Sequence, residues 1–65
     1  MNGKYVIKKI LYGQHDFAES FSLDFNFPCD AYGVYQYKGS PELPYWVDDF
    51  KTLPEAEKFI LEQEG

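Results

Sequence analysis

Between Phe17 and Phe27, large apolar side chains hold every odd position but one: Phe17, Phe21, Leu23, Phe25 and Phe27, with Glu19 the exception. The even positions carry Ala18, Ser20, Ser22, Asp24 and Asn26. Side chains alternate across a strand, so this period of two predicts a ribbon with one apolar and one polar side. Upstream, residues 4–12 are rich in Tyr, Val and Ile and predict another strand. Its alternation is mixed: Tyr5, Ile7, Lys9 and Leu11 fall on one side, Val6, Lys8, Ile10 and Tyr12 on the other. Either both sides are partly covered or a bulge shifts the register midway. Gly13 to Asp16 offer turn chemistry between the two segments, which predicts a first hairpin.

Pro28, Cys29 and Asp30 interrupt the second strand, and Tyr32, Val34, Tyr35 and Tyr37 predict a third over residues 31–38. The run from Gly39 to Pro44 reads as a loop, since two prolines and a glycine leave little backbone free to pair. Tyr45, Trp46 and Val47, running on to Phe50, predict a short fourth strand that closes a second hairpin. Thr52-Leu53-Pro54-Glu55 then matches a capping box, with Pro54 in the first turn where its missing N–H costs nothing. Leu53, Ala56, Phe59 and Ile60 follow helical spacing, while Lys58 and Glu62 face away and are placed to pair, so a helix over 53–63 is predicted. Together these elements predict one α+β domain over residues 1–65. A four-stranded antiparallel sheet of two hairpins is followed by a C-terminal helix packed on one face, in the order β-β-β-β-α. The helix stripe is expected to meet the Phe17–Phe27 face. One short helix covers one side of such a sheet, so the other side is expected to stay wet or meet a partner.

Size sharpens that expectation. A chain of 65 residues hides only about 60% of the surface its unfolded form exposes. Its single cysteine, Cys29, permits no internal disulfide, so stability must come from aromatic bulk or self-association. Six Phe, six Tyr and one Trp are available for that purpose. One unpaired cysteine, no evident leader and no long apolar run predict a cytoplasmic setting without a membrane partner.

Charge narrows the partners. Eleven acidic residues face six basic ones, for a net charge of −5, and every basic residue is lysine. Without arginine the chain lacks the usual bidentate reader of phosphate and guanine, so direct nucleic-acid binding is not expected. From Gly39 onward Glu42, Asp48, Asp49, Glu55, Glu57, Glu62 and Glu64 stand against Lys51 and Lys58. That half either serves as a solvated face or attracts a basic partner surface.

Catalytic chemistry finds little footing. His15-Asp16 joins a base to a carboxylate, but a turn between strands offers no dry pocket. Cys29 lacks the nearby His or helix N-terminus that activates a thiol. Asp48 and Asp49 are adjacent, so on a regular strand they point to opposite faces and cannot chelate together. The five glycines are scattered singly, without the spacing of a phosphate loop. No enzyme activity, cofactor or metal is therefore expected. The tyrosines carry more: Tyr35 and Tyr37 share a strand face, and Tyr45 and Trp46 open the next strand. They read as cross-strand stabilising pairs, as a protein-binding or self-association surface, or as a base-stacking platform lacking its positive groove. Leu43, between prolines, is a further docking candidate.

The block from Asp49 to Ile60, an aromatic strand end followed by F-x-T-L-x-E-A-x-x-F-I, resembles a strand-to-helix passage of small acidic orphan proteins from phages and mobile elements. The resemblance covers about a fifth of the chain and is largely helix-capping grammar. It implies a non-catalytic protein that binds and blocks a host protein of the defence type, acting in the host cytoplasm. The residues expected to form that acidic, aromatic surface are Tyr37, Tyr45, Trp46, Asp48 and Asp49. The partner is expected to present a basic surface. The alternatives are a homo-oligomer, dimeric or larger, that traps a small ligand such as a nucleotide between subunits, with Lys4, Lys8 and Lys9 as its cations, or a structural accessory subunit.

Overall fold

The computed structural model describes residues 4–26, 28–38 and 43–64. Phe27 and the Gly39–Glu42 part of the expected loop lie outside the described residues. Three strands form, β1 (Tyr5–Ile10), β2 (Ala31–Gln36) and β3 (Tyr45–Phe50), followed by the helix α1 (Leu53–Glu64). The sheet is antiparallel in the order β1-β2-β3, so β2 is central.

The expected Phe17–Phe27 strand is therefore corrected: the described sheet has three strands, not four. Local polar side chains explain the difference. Asp16 Oδ1 accepts from the Ala18 N–H at 3.1 Å, and the Asp16 main-chain oxygen takes the N–H groups of Glu19 and Ser20 at 2.9 and 3.0 Å. Phe17–Glu19 thus closes into a turn of 3-10 helix. Farther on, Ser22 Oγ accepts from the Asp24 N–H at 3.2 Å, and the Ser22 carbonyl accepts from the Phe25 N–H at 3.1 Å. Asp and Ser side chains compete with ladder hydrogen bonds in this way, and four of the five even positions are poor strand formers. One trace of pairing survives: Lys9 and Phe21 exchange both main-chain hydrogen bonds, at 2.6 and 2.8 Å.

Residues 11–30 make a long excursion instead of a hairpin. At its neck the Asp30 N–H donates to the Ile10 carbonyl at 2.9 Å, and Asp30 Oδ2 accepts from the Tyr12 N–H at 2.6 Å. Tyr12 and Gly13 both have positive φ, 57° and 69°, and the Gln14 N–H closes the turn on the Leu11 carbonyl at 3.2 Å. That is the backbone of a type I′ turn.

The register sorts side chains onto two faces. Tyr5, Ile7, Val34 and Phe50 share one, and Phe59 of α1 meets it, with ring centroids 6.3 Å from Tyr5 and 5.4 Å from Phe50. Ala56 is wholly buried beneath the same helix. The expected capping box forms in part: the Thr52 hydroxyl accepts from the Glu55 N–H at 3.4 Å, and Glu55 Oε1 accepts from that hydroxyl at 2.9 Å in place of the Thr52 N–H. Lys58 and Glu62, both exposed, do not form the ion pair their spacing allows.

Val6, Ile10, Gly33 and Tyr35 share the other face, and His15 and Phe17 of the excursion lie over it. Phe17 packs edge-on against Tyr35 with centroids 5.2 Å apart, and Lys8 Nζ sits 4.2 Å above the Phe17 ring. Gly33 leaves room there for the Ile10 side chain. A Cβ at that position would collide with Ile10 Cδ1 and crowd Tyr35 Cε1 at 3.2 Å. The expectation that α1 meets the Phe17–Phe27 segment is thus corrected at Phe17, which lies on the side of the sheet opposite the helix. The expected bare face is corrected in part: the chain buries Ile10, Gly33 and Tyr35 there, while Trp46 on the same side stays exposed. Both sides of β1 are packed, with its register unbroken.

Candidate functional site

A bulge, one of the two alternatives for β1, is found in β3 instead. Val34 pairs with Asp48, and Tyr35 pairs with Trp46, so Val47 is an extra residue between them. On a regular strand, residues three apart point to opposite faces. The extra residue cancels that rule. Tyr45 and Asp48 lie on the helix side of the sheet, opposite Gln36 and Val34, while Trp46 and Asp49 lie on the excursion side, opposite Tyr35 and Gly33. Each face of β3 therefore carries one aromatic ring and one carboxylate.

On the excursion side the pair is occupied. His15 Nε2 lies 3.0 Å from Asp49 Oδ2, and the imidazole stacks at a tilt on Trp46 with centroids 4.8 Å apart. The His15 main-chain oxygen accepts from the Tyr35 hydroxyl at 2.7 Å. His15 is thus held by side chain and backbone at once. Burial pushes the Tyr35 phenol above its ordinary pKa, outweighing the Ser20 hydrogen bond that lowers it, and the charges of Asp16 and Asp49 add smaller upward pushes. On the far side of the neck, Cys29 raises the Tyr32 phenol by hydrogen bonding and by charge.

The five expected site residues fare differently. Tyr45 and Trp46 remain 64% and 46% exposed at the head of β3, and Asp48 is exposed beside them. Asp49 is half-buried beneath His15. Tyr37 lies past the end of β2, half-buried, its N–H donating to the Lys4 carbonyl at 2.9 Å. It does not share a surface with Tyr35, which is fully buried. Leu43 is exposed just before the strand.

His15 was the residue the sequence marked but misplaced. Its neighbour Asp16 looked like the partner, yet Asp16 is spent on the 3-10 turn and Asp49 takes the imidazole. No local signal points to a partner 34 positions away. The Tyr35 hydroxyl is directed at the His15 backbone and not its ring. Two shallow depressions flank α1, one lined by Glu57, Ile60 and Leu61, the other by Phe50, Glu55, Lys58, Phe59 and Glu62.

Among the described residues no group of three or more His, Cys, Asp or Glu side chains is placed to hold a metal ion. No helix among them is long and apolar enough to cross a membrane. Comparison with protein-family models, curated proteins and solved structures finds no match to this chain.

Proposed function

We propose that this chain is a non-catalytic binding protein that docks on the basic surface of another protein and occludes it. The observation that carries the reading is the exposed run at β3: Leu43, Tyr45 and Trp46 stand out of the surface immediately before Asp48. Tyr and Trp bring large contact area at small rotamer cost, and a neighbouring carboxylate selects a cationic partner. The net charge of −5 favours the same encounter over long range. The likeness to small acidic phage and mobile-element proteins fits a role in blocking a host protein.

The alternative of a phosphate-bearing ligand trapped between subunits has less support. Lys8 and Lys9 point to opposite faces, Lys8 over Phe17 and Lys9 toward the Phe25 carbonyl, so they do not converge on one anion.

Immobilised wild-type chain and a Trp46→Ala, Asp48→Lys double variant, both checked for native folding, provide the test. A basic protein retained by the first in a salt-sensitive manner and lost from the second is the expected result. Equal retention by both, or retention indifferent to salt, removes the acidic, aromatic surface from the explanation.

A further inference from the structure

We infer that the outer edge of β3 is where the partner pairs, and that its occupant is an extended basic segment of that partner, added to the sheet as a further strand. The inference rests on the binding-protein reading above and names the recognition mode. The two edges of this sheet are treated differently. At the outer edge of β1 the chain pairs with itself at one position, Lys9, through the two main-chain hydrogen bonds exchanged with Phe21. Among the described residues nothing pairs with the outer edge of β3. An uncovered edge is a template for strand addition, with main-chain bonds giving affinity and alternate side chains giving selectivity.

Charge decides the occupant. Pairing of β3 with a second copy would gather both Asp48–Asp49 pairs on one short ladder, with no basic residue in either strand to offset them. A basic segment meets the reverse situation at Asp48, since Asp49 already holds His15. The molecule shows what such a ring–carboxylate pair holds, because Trp46 and Asp49 already grip His15, one by stacking and the other through Nε2. Tyr45 and Asp48 make the equivalent pair on the helix side, and both are exposed. A lysine or arginine of the visiting strand fits there, over the ring and against the carboxylate. Asp48 Oδ1 accepts from the Asp49 N–H at 2.8 Å in the free chain, so the visitor replaces that contact with its own.

The probe is a short synthetic peptide alternating valine and lysine, titrated into the full chain while backbone amide shifts are followed. Saturable shifts confined to β3 are expected. A valine–glutamate peptide should give none, and a lysine probe N-methylated on alternate amides, which keeps the charge but cannot pair, should lose the effect. Asp48→Lys and Tyr45→Ala should each weaken the lysine probe several-fold without altering the fold, because both side chains are exposed. Undiminished binding of the N-methylated probe, shifts away from β3, absence of binding, or a dimer in sedimentation with β3 at its interface would each overturn strand addition. None of these touches the retention experiment above, so loss of the pairing mode and loss of the binding role are separable.

Discussion

Asp49 of β3 holds the imidazole of His15 at 3.0 Å, and this contact fastens the far end of the 11–30 excursion to the sheet. Both side chains are about a third exposed, 40% and 31%, so solvent screens the pair. Stacking on Trp46 adds an aromatic contribution. His15→Ala is expected to cost about 1 kcal/mol of stability, and Asp49→Asn about half that. A double-mutant cycle by chemical denaturation checks the coupling. Strictly additive losses would mean that the two side chains act independently.

Tyr35 sets an alkaline limit. Its phenol is raised above an ordinary value of about 10 by burial, so the folded state keeps a proton that the unfolded chain releases. The contribution is whole below pH about 10 and disappears as pH climbs through the folded value. Wild-type stability should therefore fall on going from pH about 8 to about 10.5. Tyr35→Phe should be less stable at the lower pH by about 1 kcal/mol, the loss of its hydrogen bond to the His15 carbonyl, yet lose less over the interval. Tyr32, raised by Cys29, accounts for part of the residual slope. Identical slopes in the two proteins would remove Tyr35 as the cause.

Tyr12 should behave in the opposite sense. It is 86% exposed with φ 57°, a conformation that L residues other than Asn, Asp and Gly adopt at a cost of about 1 kcal/mol. Tyr12→Asn keeps the N–H that Asp30 accepts and relieves the strain, so melting temperature should rise. A fall would show that the ring makes a stabilising contact.

Gly33→Ala should destabilise by about 1–3 kcal/mol, through collision with Ile10. Ile10 is itself buried and has little room to yield. Denaturation midpoints compare the variant with Ile10→Val, Gly33→Ala, which should recover part of the loss. No recovery would place the strain elsewhere.

Three strands and the helix were legible because their residues agree at every level: β-branched and aromatic runs bounded by Pro and Asp, then Thr52 and Glu55 in capping register. The Phe17–Phe27 alternation misled because Phe17 and Phe21 pack from a bent backbone while Leu23 and Phe25 stay exposed, so the period of two did not mark an extended strand. Phe17 reaches Tyr35, and Phe21 packs edge-on against Phe25 at 5.7 Å, from a chain bent by Asp16 and Ser22. Tyr45, Trp46 and Asp48 were legible as surface residues from composition and position. Their sorting onto faces was not, since it depends on the extra residue at Val47, which appears only when β2 supplies a register.

The bridge between Lys9 and Phe21 has a further result. Any strand arriving along β1 meets the chain's own backbone at Lys9 and must displace Phe21 or stop short of it. No described residue sets such an obstacle along β3. Enlargement of the sheet is thus biased toward one rim.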